Sequence, residues 1–409
     1  MRNRIILVLI LIQILVTPDT QSAKLYNSVG TLEMFSIRFL YSELLLLAVS
    51  PYIFVKLLHF RLSNSVHIWL LLCLGLIAIS VLVGLENNND LFSNRIRVYA
   101  FFMLSFLYAY VLLEEKIDFY WILKLFSKLC LVVVLFNEIL SSFNLSLHGS
   151  HNPLFKPYDL LYVSLLFYVI SLNETLKRIK PINLLIVFIY IFLAVNYFHY
   201  KAFIAFLFFS SLMVFLARFG IMKTLIMSIS GLLFLYSLYV LTPILDTHAD
   251  ILIAKYLKID IDTGIDPISY GLYSKVGVSS DEYLSGRIGI WTQYLNGLYE
   301  NLLVGNMGGN PTSHPRGITA HNILLDLGYN LGIVVSIAFI VMIFKLIRSL
   351  SNPKFFPFGV WALSLFFIDL FGRAILGNVS LSLVFFLILI FGSNYNARSN
   401  SRHAYFKFR

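Results

Sequence analysis

Apolar residues run along this chain in long blocks separated by short polar stretches, and the blocks have the length of helices rather than strands. Runs at 5–17, 39–58, 67–85, 98–113, 120–139, 159–172, 182–198, 202–217, 221–243, 322–344, 356–371 and 379–392 each read as a transmembrane helix. Several are shorter than the roughly 20 residues that cross a hydrocarbon core of about 30 Å upright, so flanking polar residues must sit at the interface. The first run follows Arg2 and Arg4 and has the short apolar core of a signal peptide. The stretch LVTPDTQSAK at its end offers no small-residue cleavage pattern, so the run is read as a retained helix.

The rhythm stops near residue 244 and resumes near 322. Four parts follow: an N-terminal transmembrane bundle of about nine helices over 1–243, a large outer loop over 244–321, C-terminal transmembrane helices over 322–392, and a basic tail over 393–409. Within the loop, GRIGIWTQYLNGLYENLLVG places Ile288, Trp291, Tyr294 or Leu295, and Leu298 at helical intervals. Such a helix either lies at the outer interface with Trp291 near the headgroups, or belongs to a small extramembrane subdomain. After it, GNMGGNPTSHPRG is glycine- and proline-rich and reads as a turn segment. It lacks the GxxxxGK[ST] order of a phosphate loop, and no HExxH, paired-cysteine or EF-hand spacing occurs, so neither a nucleotide cofactor nor a dedicated metal site is expected.

Composition agrees with the pattern. Of 409 residues, 59% are hydrophobic and 13% charged, with 37 Phe and 24 Tyr. Soluble domains carry about 25% charged residues, so the chain is an all-α polytopic membrane protein of about twelve helices. The net charge of +10 is scattered between apolar runs and serves topology better than it serves a nucleic-acid partner. Cys73 and Cys130 both fall inside apolar runs, which makes redox chemistry an unattractive reading.

With both chain ends in the cytoplasm, the inner side receives Arg2, Arg4, Lys56, Arg61, Lys116, Lys177, Arg178, Lys180, Arg218, Lys223, Lys345, Arg348, Lys354 and the tail residues Arg398, Arg402, Lys407 and Arg409. Arg95, Arg97 and Lys201 fall on the other side as exceptions.

The same topology gathers polar residues at the outer face. Lys201 stands at the turn into the 202–217 run, Arg287 opens the Trp291 helix, Arg316 and His321 flank the entry to the 322–344 run, and Arg373 lies in the last outer turn. Taken singly, each can be a span-end anchor. Together they suit a polyanion at the bilayer surface, because an arginine fork matches phosphate oxygens and a lysine adds a compact charge. Asp369 and Arg373 are spaced for a mutual ion pair on one helical face. His321 titrates near neutral pH and is the best outer-face general base, whereas Asn322 reads either as a helix cap or as a donor to a sugar hydroxyl. Asp326 need not share the face of His321.

These residues bring out a resemblance. The stretch GRIGIWTQYLNGLYENLLVGNMGG, then the HN of TAHNILLDLGYNLGIV, across a large outer loop, resembles the bacterial O-antigen polymerase and O-antigen ligase superfamily, closest in character to a polymerase. Arg287, Trp291, Gly305, Gly308, His321, Asn322, Gly328 and Gly332 carry it. The motif covers 286–333, while the topology covers most of the chain. Where the family commonly has a serine-arginine pair, YFHYKAFIAFLFF puts Lys201, which keeps the charge but loses the bidentate fork.

The resemblance implies a C-type glycosyltransferase-like membrane fold, in the bacterial inner membrane, with its active site facing the periplasm. It also implies an O-antigen polymerase in lipopolysaccharide biosynthesis, acting on undecaprenyl-diphosphate-linked oligosaccharides without a cofactor or metal. A hydroxyl of one lipid-linked repeat would attack the anomeric carbon of a growing glycan, and undecaprenyl diphosphate would leave. Arg287 and Lys201 would hold the departing diphosphate, with Arg316 a third clamp and Arg373 and Asn322 further contacts, while His321 would orient or deprotonate the acceptor. Expected partners are membrane lipids, a chain-length regulator and a repeat-unit flippase, with no nucleic acid. The alternatives are an O-antigen ligase, which transfers glycan to lipopolysaccharide core, then a lipid-linked sugar transporter, and last a noncatalytic scaffold.

Overall fold

The computed structural model of the protein describes residues 31–34, 37–59, 92–112, 119–142, 157–196, 201–241, 287–306, 322–349, 355–370 and 381–390. The chain begins there with a hairpin that the apolar rhythm did not anticipate. Strands β1 (Thr31–Met34) and β2 (Ile37–Leu40) pair antiparallel, with Thr31 opposite Leu40 and Met34 opposite Ile37. Among the described residues every element after it is a helix: α1 (Tyr41–His59), α2 (Phe92–Val111), α3 (Phe119–Ser142), α4 (Pro157–Lys177), α5 (Pro181–Asn196), α6 (Lys201–Leu241), α7 (Arg287–Glu300), α8 (Ile323–Leu331), α9 (Ile333–Ser349), α10 (Phe356–Asp369) and α11 (Leu381–Ile390). Proline opens α4 and α5, where a missing N–H costs no intrahelical bond.

Apolar windows long enough to cross a membrane lie in α3 (Phe119–Phe136), α4 (Leu160–Lys177) and α6 (Ala202–Leu225). The outward faces show what surrounds them. On α3, Trp121, Leu125, Leu129, Val132 and Phe136 form an exposed stripe at helical spacing, and on α5 Ile182, Leu185, Phe188 and Phe192 form another. Water would penalise such surfaces and lipid would not, so the protein is a multi-pass membrane protein.

Helix α4 is the hub, packing against α3, α5, α6 and α10. Polar groups inside the bundle are tied across helices. The Tyr190 hydroxyl donates to the carbonyl of Ser164 at 2.6 Å, Trp361 Nε1 donates to that of Tyr162 at 2.9 Å, and the hydroxyls of Tyr168 and Ser211 meet at 2.6 Å. A lysine within the α3 window, Lys124, pairs with Glu174 at 3.4 Å, and Lys128 lies 5.2 Å from the Phe167 ring centre. Those partners explain how α3 carries two cations in an apolar stretch.

Most helices sit where the apolar runs predict, with two informative differences. The 202–217 and 221–243 runs belong to one helical stretch, α6, divided at Gly220, whose φ of 74° and ψ of 173° leave the helix. Conversely, the single expected span 322–344 is two helices, because Gly332 at φ 86° separates α8 from α9. The expected runs 5–17 and 67–85, the loop stretch 244–286 and the tail 393–409 lie outside the described residues.

Candidate functional site

The family resemblance rests chiefly on the segment from α7 to α9, and its packing is closely determined. Helix α7 buries Ile290, Tyr294 and Leu298, one turn apart each, so of the two residues left open in the expected line Tyr294 is the buried one, with Leu298 on the same face; Trp291 is half-buried and Leu295 exposed. Tyr294 meets Tyr329 of α8 with ring centres 4.9 Å apart, and Trp291 and Leu325 pack around that pair.

Beyond α7 the chain turns and runs back along the α8–α9 junction. The amide of Ile333 donates to the carbonyl of Leu302 at 2.9 Å, and that of Asn306 donates to the carbonyl of Tyr329 at 2.5 Å. Asn306 also donates from Nδ2 to the carbonyl of Gly297 at 2.7 Å and accepts from Asn301 Nδ2. Two of the motif glycines exist for this crossing. A β-carbon on Gly305 would stand 2.6 Å from the peptide nitrogens of Leu331 and Gly332, and one on Gly332 would collide with the carbonyl of Leu303. Gly328 is close-packed too, with the Ser336 hydroxyl 3.2 Å from where its β-carbon would be. Gly308 lies outside the described residues.

Trp291 and Tyr294 pack with Leu325 and Tyr329, and the turn after α7 reaches Ile333, just past the end of α8, so α7 and α8 run in the same sense. Arg287 is the first residue of α7, and α8 begins at Asn322, whose Oδ1 accepts from the amides of Leu324 and Leu325 at 3.0 and 3.2 Å. The capping role of Asn322 is therefore realised. His321 lies outside the described residues, one Cα–Cα step of about 3.8 Å before that cap.

A second device pins α8 to the bundle. The Tyr99 hydroxyl of α2 donates to the carbonyl of Asp326 at 2.9 Å and accepts from Asn330 Nδ2 at 3.1 Å, and Asn330 Nδ2 also reaches the Asp326 carbonyl at 2.7 Å. Asn330 is fully buried, and its Oδ1 has no hydrogen-bond partner among the described residues. Sequence reasoning passed over Tyr99 and Asn330; the available signal was a polar pair, Asp326 and Asn330, four apart inside an apolar run. Beside this network an apolar recess lined by Tyr99, Phe102, Met103, Leu327, Val335 and Phe339 separates α2 from α8 and α9.

The other expected site residues are distributed as follows. Lys201 opens α6, which buries Phe203 and Phe206 and packs on α4 and α10, a different part of the bundle from α7. Asp369 closes α10, buried. Arg316 and Arg373 lie outside the described residues, and with Arg373 the expected ion pair to Asp369. Among the described residues no three His, Cys, Asp or Glu side chains gather as a metal site.

Chemically, each helix start carries the positive end of its backbone dipole, and acidic ligands are favoured there, at Arg287 on α7 and at Asn322 on α8.

The chain matches no family model, no curated protein and no solved structure.

Proposed function

We propose that this membrane protein is a glycan polymerase of the O-antigen polymerase type, working on a polyprenyl-diphosphate-linked donor at the membrane surface. The observation that supports the reading is the packing of α7 on α8 in one sense, Tyr294 against Tyr329, which joins the helix that opens at Arg287 to the one capped by Asn322. Arg287 and His321 then supply cationic and proton-transfer chemistry beside two helix N-termini. Arg287 neutralises the leaving diphosphate, with Arg316 and Arg373 as further cations, while Lys201, on a different part of the bundle, stands outside this clamp. His321 takes the proton of the acceptor hydroxyl as that oxygen attacks the anomeric carbon, and the glycosidic bond to the diphosphate breaks with the electron pair leaving on phosphate oxygen. In a site adjoining lipid these charges act with less screening than in bulk water.

Rigid presentation of the α8 start supports this reading. The Asn322 cap, the Tyr99 network and the glycine crossing hold α8 from its first turn to its last, as preorganised chemistry requires.

The experiment supplies purified protein with a defined lipid-linked repeat, with and without lipopolysaccharide core. Ladder growth in the absence of core is the expected result. Transfer that occurs only when core is present would replace the polymerase with a ligase, and no glycan transfer under either condition would remove glycosyl transfer altogether.

A further inference from the structure

Helix α7 has a second apolar face that its packing leaves open. Leu295, Tyr299, Leu302 and Leu303 follow one another at spacings of four, three and one, and they are 51%, 84%, 45% and 63% exposed. One turn before Leu295 the same side carries Trp291, half-buried, and Thr292, exposed.

The stripe is continuous with another. Leu302 is bonded through its carbonyl to Ile333, the first residue of α9, and from Ile333 the exposed side chains Ile337, Val341 and Phe344 descend the same face of α9. Placed in a membrane by this apolar stripe, α9 alone is too short to cross it. From Lys345 to Gly332 the rise is about 20 Å at 1.5 Å per residue, leaving roughly 10 Å of a hydrocarbon core of about 30 Å uncovered. Among the described residues, α8, the end of α7 and the stretch of α2 around Tyr99 stand at the level above Gly332.

From this we infer that the C-terminal half of α7 and its turn are immersed in the bilayer, in the leaflet that receives the N-terminal end of α9. There Leu295, Tyr299, Leu302 and Leu303 contact phospholipid acyl chains, and the helix slopes up to Arg287 at headgroup level. The occupant of the open face is therefore the lipid surface. The inference depends on the membrane placement of α9 and not on the glycan chemistry, so each can fail without the other. It also gives the end that begins at Arg287 and Asn322 a depth, the boundary between acyl chains and headgroups.

The test places an environment-sensitive fluorophore on single cysteines introduced as Tyr299→Cys, Leu303→Cys and Thr292→Cys in a Cys73→Ser background. Cys130 is fully buried and left in place. All three positions are exposed, so labelling leaves the packed side of α7 intact. In phosphatidylcholine vesicles, labels at 299 and 303 are quenched by acyl-chain nitroxide lipids at least about threefold more than by aqueous iodide, and the label at 292 shows a smaller ratio. Iodide quenching at 299 and 303 equal to that at 292 would overturn the immersion, as would acyl-chain quenching uniform over all three positions, which would indicate a helix lying flat.

Discussion

Gly305 and Gly332 occupy the same crossing from opposite strands of backbone: a β-carbon on Gly305 would stand 2.6 Å from the nitrogen of Gly332, and one on Gly332 would strike the carbonyl of Leu303. Both also have positive φ, 83° and 86°. The two glycines therefore have a packing reason to exist, whatever chemistry the segment performs.

Alanine at either position meets backbone, which cannot step aside, and adds roughly 1–3 kcal/mol of positive-φ strain. Gly332→Ala and Gly305→Ala should each lower the unfolding temperature in detergent by several degrees or abolish folded protein. Gly220→Ala makes the contrast, since nothing lies within 4 Å of its β-carbon and the strain stands alone. Equal losses at Gly220 and Gly332 would show that the crossing contributes nothing.

Tyr99→Phe removes a hydroxyl that both donates to the Asp326 carbonyl and accepts from Asn330. The expected cost is about 1–2 kcal/mol of stability, with reduced protection of the α8 amides in hydrogen exchange. Because Tyr99→Phe and Asn330→Leu interrupt one network, their effects should combine to less than their sum. Full additivity would mean that the two side chains act independently.

The helices were legible because hydropathy alone marks them: the run at 120–139 became α3 (Phe119–Ser142) and that at 182–198 became α5 (Pro181–Asn196). The Asn322 cap was legible as well, since its cause is local. By contrast the break at Gly332 has no local cause. The apolar pattern runs unbroken through LGYNLGIVV, and the chain parts there because the carbonyl of Leu303, brought from the end of α7, occupies the place of a side chain. The choice between Tyr294 and Leu295 on α7 was open for a similar reason. Both fit the helical intervals, and Tyr329 makes the choice by receiving Tyr294. Tyr99 lies 227 residues from Asp326, beyond any pattern read along the chain.

Orientation is open to a direct check. A reporter enzyme fused after Lys180 should register in the cytoplasm and one inserted within 250–280 should register as exported, following the basic residues Lys177, Arg178 and Lys180 at the end of α4. The reverse assignment would move the start of α8 to the cytoplasmic side and end the periplasmic reading.

If Arg287 holds the diphosphate, Arg287→Ala should abolish chain growth with abundance near wild type, and Arg287→Lys should keep only part of the activity, because a point charge cannot reproduce the fork. An anchor for α7 behaves differently: lysine would be nearly silent, and alanine would lower folded protein and product together.

The proposed chemistry turns on the residue that precedes the Asn322 cap. With purified, equally folded variants and saturating lipid-linked repeat, His321→Ala should slow polymerisation by about 10² or more through loss of proton transfer, while His314→Ala, in the glycine-proline loop, keeps most of the activity. His321→Gln separates proton transfer from hydrogen bonding, and is expected to be nearly as slow as alanine. Turnover by His321→Ala close to that of the wild type, in a preparation whose wild type builds a ladder and releases polyprenyl diphosphate, would contradict the account at its centre.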